Sequence, residues 1–149
     1  MIGVAMVLGL LLQGPPAADT TRRGSATAAT VTAVVAVRAA RPPVIDGRDD
    51  DPVWRDAPAI TQFLEWSPTE GKAARFPTEA RVAYDAANLY VFVRCFDPHP
   101  DSILRLLSRR DTYQTSDGVV LLVDSYHDRR TGYEFGVNAS GVKYDAAVY

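Results

Sequence analysis

Four aspartates lie close together immediately before a proline: Asp46, Asp49, Asp50 and Asp51. Carboxylate oxygens are the hard ligands that calcium prefers in proteins. The spacing departs from the twelve-residue calcium-binding loop, and Asp50 or Asp51 can equally cap a helical turn that begins at Pro52. The pattern therefore predicts either a structural calcium site at Asp46, Asp49 and Asp50 or a capped turn.

A second charged group, Arg109, Arg110, Asp111 and Asp117, precedes an apolar run. Guanidinium and carboxylate groups form paired hydrogen bonds with sugar hydroxyls, so this group suits a binding cleft. The alternative is a loop whose ion pairs fix the start of the next strand. Arg109, Asp111 and Asp117 are the candidate binding residues.

Trp66 lies at the end of a predicted strand, directly before Ser67 and Pro68. An exposed indole at this place can stack on the face of a sugar ring, because the C–H groups of the sugar meet the negative face of the aromatic ring. The alternative is a half-buried tryptophan at the rim of the fold. Trp54, the other tryptophan, follows the Pro52 turn, and we expect it in the core.

The chain offers no recognisable catalytic set. Two histidines cannot build a three-histidine metal site, and the G-x-S-x-G motif of a serine hydrolase is absent. A glycosidase needs two carboxylates that face one cleft, and the glutamates lie on separate predicted elements: Glu65, Glu70, Glu79 and Glu134. We therefore do not predict an enzyme.

The composition is that of one soluble domain or part of one: 149 residues, 47% hydrophobic and 23% charged. A net charge of -2 argues against a broad nucleic-acid surface, so no nucleic-acid partner is expected. Cys95 is the single cysteine, which excludes an internal disulfide. It alternates with valines, and we predict an inert, buried thiol.

The first 18 residues have the layout of a signal peptide. An uncharged apolar run over residues 2–12 is followed by Gln13-Gly14-Pro15-Pro16 and then by the small residues Ala17-Ala18, although no Lys or Arg precedes the run. We predict a secreted, periplasmic or cell-envelope protein, with a disordered apolar tail as the alternative. Residues 19–43 are predicted to be a linker with a candidate first strand over residues 30–38.

The body of the chain, residues 44–149, has the pattern of an antiparallel β-sandwich of two sheets. Strands are predicted over residues 59–66, 78–85, 88–97, 119–123, 133–138 and 142–149, with a short helix over residues 101–107. Residues 88–97 are apolar on both faces, which is typical of a central strand. The last predicted strand reaches Tyr149, so we expect the sandwich to be incomplete at the C-terminus.

The order and spacing of several motifs resemble the carbohydrate-binding module family 9, in the version found at the N-terminus of larger secreted or envelope proteins. The motifs are Ile45-Asp46-Gly47, Asp50-Asp51-Pro52-Val53-Trp54, residues 78–85 and 89–97, Arg109-Arg110-Asp111, Ser116-Asp117, Asp124, residues 127–133, Phe135 and residues 138–141. The resemblance implies a jelly-roll-type β-sandwich that binds sugar, often with structural calcium. It adds Asn138 to the candidate binding residues.

The resemblance implies that a sugar ring lies between two aromatic side chains, of which Trp66 is one candidate. The favoured function is therefore non-catalytic binding of a polysaccharide or oligosaccharide, which tethers a larger secreted protein, through downstream domains, to the glycan that it helps to degrade. The alternative is a structural or interaction domain of an envelope protein that does not bind sugar. A second aromatic ring opposite Trp66 would favour binding, and its absence would favour the alternative.

Overall fold

The computed structural model describes residues 3–8, 33–112 and 114–149, and residues 3–8 only as backbone. Its elements are mostly strands: β1 (Gly3–Leu8), β2 (Val37–Arg38), β3 (Thr78–Tyr84), β4 (Leu89–Cys95), β5 (Gly118–Val123), β6 (Gly132–Asn138) and β7 (Lys143–Val148). The helical segments of this part are α1 (Pro52–Asp56) and a 3-10 turn (Pro100–Ser102). None of the described helices has the length and apolarity that a membrane crossing requires. The all-β prediction is confirmed.

The strands form two sheets, with the orders β1-β5-β6-β7 and β2-β3-β4. Neighbours in sequence pair antiparallel, as predicted: β3 with β4, β5 with β6, and β6 with β7. The prediction of wholly antiparallel sheets is wrong, because β1 pairs parallel with β5 and β2 pairs parallel with β3. A tight turn permits only an antiparallel pair, whereas the long connections after β1 and β2 allow parallel pairing.

The segment predicted as a signal peptide is described only in part. β1 lies within its apolar run and pairs with β5 over six residues, from Gly3 opposite Gly118 to Leu8 opposite Val123. Residues 1–2 and 9–32, which include the predicted cleavage site, lie outside the described residues. The signal peptide therefore stays a prediction. In the described part of the candidate first strand, residues 33–38, only Val37–Arg38 forms a strand.

Both faces of β3 contribute buried residues to the core. One face carries Ala83, which lies in a cluster with Trp54 and Phe92. The rings of Trp54 and Phe92 are 5.7 Å apart, and Trp54 is only 4% exposed, which confirms its predicted place in the core. The other face carries Ala80 and Val82, and Leu121 of β5 packs against these residues. Leu121 is thus a point of contact between residues of the two sheets.

An arginine attaches α1 to β3. The Nη1 group of Arg81 donates hydrogen bonds to the carbonyl oxygens of Trp54, at 2.6 Å, and Ala57, at 2.9 Å. These are the carbonyls at the end of the helix, where no backbone N–H is available to them. Pro52 lies at the start of the helix, where its missing N–H costs nothing. The predicted turn at Pro52 is confirmed.

Two predictions about β4 are wrong. Among the strands that the structure describes, β4 lies at an edge of its sheet, because β3 occupies the centre. Its two-sided apolar pattern reflects Phe92, which faces α1, and Val93, which faces the cluster of Ala80 and Val82. Cys95 is exposed at the end of this edge strand, although partial desolvation raises the pKa of its thiol.

Two further segments differ from their predicted structure. Residues 59–66 form single bridges, Ile60 with Ala80 and Leu64 with Ala73, in place of a continuous strand. Residues 101–107 are not a helix beyond Ser102. The backbone N–H of Leu104 donates instead to the Asp117 carboxylate, so side chains near β5 satisfy the backbone that a helix would use.

Candidate functional site

An open cleft of about 310 Å³ lies between two loops beside the start of β7. We call it the loop cleft; its lining residues are Leu107, Ser108, Arg110, Ser140, Gly141, Val142 and Lys143. The first wall belongs to the loop between the 3-10 turn and β5, and the second wall belongs to the β6–β7 turn. Its volume is at the lower end of the range found for small-molecule sites.

Asp117 and Ser116 fold the first wall back onto the start of β5. The Asp117 carboxylate accepts the N–H of Leu104 at 2.8 Å, and the Asp117 N–H donates to the Leu104 carbonyl at 3.0 Å. The Ser116 hydroxyl donates to the same carbonyl at 2.7 Å. The two ends of the loop are therefore fixed to each other.

Asn138 connects the two walls. Its Nδ2 group donates to the carbonyl of Leu106 in the first wall at 2.9 Å. Its Oδ1 atom accepts the N–H groups of Ser140 and Val142 in the second wall, each at 2.9 Å. Both ends of the amide are thus engaged, and the β6–β7 turn keeps a fixed position relative to the loop.

Asp111 holds the loop against the outer edge of β7. Its backbone N–H donates to the Lys143 carbonyl at 3.2 Å, and its Oδ1 atom accepts the N–H of Asp145 at 3.3 Å. Its φ of 58° lies in the left-handed region, which aspartate tolerates better than most residues. Arg110 forms ion pairs with both Asp111 and Asp145, so the loop is held beside β7.

Four predicted site residues lie in or beside the two loops that form the cleft, although none of them is a lining residue: Arg109, Asp111, Asp117 and Asn138. Asp111, Asp117 and Asn138 hold the loop in place, which is the alternative role that the sequence left open. Arg109 is exposed, and its guanidinium forms no ion pair within the described part of the chain.

Sequence reasoning missed three polar residues of the cleft, namely Ser108, Ser140 and Lys143. Lys143 pairs with Val137 across β6 and β7, and this register places it at the mouth of the turn. The turn residues of 138–141 were a usable signal for the position of the turn. No sequence pattern indicated that the loop of residues 103–112 would lie beside it.

Trp66 lies in a separate loop, which folds back on itself. The N–H of Glu65 donates to the Lys72 carbonyl at 2.7 Å, and the N–H of Gly71 donates to the Glu65 carbonyl at 2.9 Å. Trp66 is 71% exposed. No second aromatic ring contacts it within residues 33–112 and 114–149, where the ring pair that the structure describes is Trp54 with Phe92.

The aspartates near residue 50 are engaged with basic groups or backbone. Asp49 forms two hydrogen bonds with Arg94, at 2.9 and 3.0 Å, and these bonds lower the pKa of its carboxyl. Asp50 pairs with Arg48 at 3.0 Å, and Asp46 accepts the Arg48 N–H at 2.9 Å. All three carboxylates are thus engaged with basic groups or backbone, and the described residues contain no group of three metal-ligating side chains.

The alternative prediction, that Asp50 or Asp51 caps the helical turn at Pro52, is also not met by a side-chain hydrogen bond. Asp51 occupies the N-cap position of α1 without a side-chain hydrogen bond to the helix. Its carboxylate accepts the N–H of Val44 at 3.2 Å instead. Asp51 therefore holds the segment before the helix in place. Its own backbone is extended, and the helix begins at the next residue, Pro52.

Comparison with known protein families gives a match over most of the chain. The family described as carbohydrate family 9 binding domain-like matches residues 45–148, which is more than two thirds of the chain. The matched region includes α1, the loop of Trp66 and both walls of the loop cleft. Neither a curated protein nor a solved structure matches the chain.

Proposed function

From the membership of this chain in the carbohydrate family 9 binding domain-like family, we propose that it is a non-catalytic module that tethers a larger secreted protein to a polysaccharide. The family match over residues 45–148 carries this proposal. Two features support it: the exposed indole of Trp66, which suits stacking on a sugar ring, and the polar loop cleft. The parent protein would act in polysaccharide degradation through its downstream domains.

A stacking role for Trp66 is tested by Trp66→Ala. Affinity electrophoresis of the full chain on a panel of polysaccharides should show retardation on at least one glycan, and the variant should lose most of it. Leu64→Ala is the matched control, because Leu64 lies in the same loop and is 66% exposed. Equal retardation of wild type and Trp66→Ala would remove Trp66 from the site.

The second candidate function is a structural or interaction domain without sugar binding. It is favoured by the engagement of Asp111, Asp117 and Asn138 in loop structure. The described residues also place no aromatic ring against Trp66. A folded chain that no glycan of the panel retards would establish this candidate over the first.

A β-sandwich is supported by the contact of Leu121 with Ala80 and Val82. The side of β6 that faces the same way as Leu121 also carries Tyr133, Phe135 and Val137, of which Phe135 is 49% exposed. Additional strands over this face would remove apolar surface from water. We expect a longer fragment of the parent protein to bind less of a hydrophobic dye, such as ANS, than residues 1–149.

A structural calcium ion at Asp46, Asp49 and Asp50 would require Asp49 to leave Arg94 and Asp50 to leave Arg48. Thermal unfolding with calcium and with a chelator tests this part of the proposal. The ion would be supported if the chelator lowers the melting temperature of the wild type and leaves that of Asp49→Asn unchanged. A melting temperature that does not change would remove it.

Export to the periplasm, the envelope or the medium follows from the predicted signal peptide. Fractionation of cells that express the full chain, followed by N-terminal sequencing, tests it. Processing near Ala18 with recovery outside the cytoplasm would support export. An intact Met1 on the folded protein would contradict it.

A further inference from the structure

Exposed leucines are concentrated in the loop that precedes β5. We call residues 103–110 the leucine loop, whose sequence is ILRLLSRR. Its leucines are exposed to solvent: Leu107 by 83%, Leu106 by 47% and Leu104 by 43%. Single exposed apolar side chains are ordinary on a protein surface, whereas neighbouring ones that form a patch mark a contact site for a partner or a membrane. The leucine loop is therefore a candidate contact site.

The charged side chains of the leucine loop are all positive. The loop contains three arginines and no acidic residue, although the whole chain has a net charge of -2. Arg105 and Arg109 are exposed and form no ion pair within the described part of the chain, whereas Arg110 pairs with two carboxylates. Lys143, which is also exposed, lines the loop cleft together with Leu107. Apolar and cationic side chains are therefore presented side by side.

The backbone of the leucine loop already has hydrogen-bond partners within the protein. The N–H of Leu104 donates to the Asp117 carboxylate at 2.8 Å, and the carbonyl of Leu104 accepts the Asp117 N–H at 3.0 Å. The carbonyl of Leu106 accepts the Nδ2 group of Asn138 at 2.9 Å. A strand of a partner protein would compete for these same backbone groups. The loop therefore presents its side chains, and not its backbone, to a partner.

We propose that the leucine loop docks the protein on an anionic lipid surface. Leu106 and Leu107 enter the boundary between headgroups and acyl chains, where apolar side chains leave water. Arg105 and Arg109 keep their guanidinium groups at the level of the headgroups, because their methylene stems can lie along apolar surface, and anionic headgroups attract these charges. This docking goes beyond the proposed carbohydrate binding and does not depend on it.

Co-sedimentation of the full chain with lipid vesicles tests the proposal. The protein should bind vesicles of phosphatidylcholine and phosphatidylglycerol in equal parts, and it should not bind vesicles of phosphatidylcholine alone. Leu107→Ala should weaken binding about tenfold, because less apolar surface leaves water. Arg105→Gln should weaken it about fivefold, through the loss of one cation at the anionic surface, and should make binding less sensitive to salt.

Two matched variants carry the same changes elsewhere on the surface. Leu64 is 66% exposed in the loop of Trp66, and Arg130 is exposed in the β5–β6 loop, at the opposite end of β5. Leu64→Ala and Arg130→Gln should bind the anionic vesicles as the wild type does, and losses as large as those in the leucine loop would overturn the proposal.

Three further outcomes would also overturn the docking proposal. The first is a folded wild type that does not bind the anionic vesicles. The second is equal binding to neutral vesicles, which would remove the role of the arginines. The third is undiminished binding of Leu107→Ala, which would assign lipid binding to another segment, such as the apolar run of residues 2–12. None of these outcomes affects the proposed carbohydrate binding, which affinity electrophoresis measures without lipid.

Discussion

At the scale of single residues, the turn between β3 and β4 depends on an ionised carboxylate. The Oδ1 atom of Asp85 accepts the N–H groups of Ala87 and Asn88, each at 2.7 Å, and its Oδ2 atom accepts the Tyr90 hydroxyl at 2.6 Å. The hydrogen bond from Tyr90, followed by those of the backbone, lowers the pKa of Asp85 from 3.8 to about 2. The folded state thus favours the charged form.

A lowered pKa stabilises the fold above the unfolded value and loses this contribution as the pH falls. We expect the melting temperature to fall between about pH 4 and pH 2, as Asp85 takes up its proton. Asp85→Asn should lower the melting temperature at pH 7 and flatten the curve in this window. A variant curve parallel to that of the wild type would show that Asp85 is not responsible.

The two tryptophans provide a test of burial. Trp54→Ala should destabilise the protein by about 3–5 kcal/mol, because it removes a buried side chain and leaves a cavity against Phe92. Trp66→Ala should change stability little, since its side chain is exposed. Urea unfolding measures both variants. Similar losses for the two would place Trp66 in a packed environment and contradict the structure.

At the scale of elements, Gly136 permits a side chain to cross β6. Gly136 lies opposite Tyr144 of β7, and the Tyr144 ring occupies the space where a Cβ atom on residue 136 would lie. The Tyr144 hydroxyl donates to Glu134 at 2.9 Å, two residues along the strand. The absence of a side chain at residue 136 therefore lets the ring lie flat on the sheet.

Gly136→Ala should displace the Tyr144 ring and cost about 1–3 kcal/mol, the usual range for overpacking. Chemical denaturation gives the loss. In a Tyr144→Ala background the same substitution should cost much less, because no ring remains to be displaced. An equal cost in both backgrounds would attribute the effect to the backbone.

The sequence pattern predicted the hairpins correctly, but it did not predict the position of each strand within its sheet. Alternation over residues 78–97 and 133–148 identified β3, β4, β6 and β7, because side chains two residues apart share a face. The same alternation made β4 look central. An edge strand can also be apolar on both faces if another element packs on each face, and α1 packs on one face of β4.

At the scale of the whole molecule, β1 forms one edge of the four-stranded sheet. It pairs with one edge of β5, while β6 pairs with the other edge. Hydrogen exchange should therefore distinguish residues 1–149 from residues 19–149. In the shorter chain, the β5 amides that point towards β1 should exchange faster, and those that point towards β6 should not change. Equal protection of the two sets in both chains would show that β1 contributes nothing to the sheet.

The sequence left Trp66 open between an exposed and a half-buried position, but it alone determined the all-β class, the family resemblance and the buried Trp54. These features depend on alternation, on turn residues and on motif spacing, which are local properties of the chain. The sequence also located the charged loop around Arg109 and the turn at Asn138, but without their mutual contact.

Only the tertiary structure decided how the polar groups are used. The carboxylates that the sequence analysis proposed as ligands of calcium or sugar have partners within the protein. Asp49 pairs with Arg94, Asp50 pairs with Arg48, and Asp117 accepts a backbone N–H. Lys143 joins the cleft because strand pairing brings the turn beside a loop that lies about 30 positions earlier in the chain. Such contacts depend on the packing of distant segments, which no local pattern encodes.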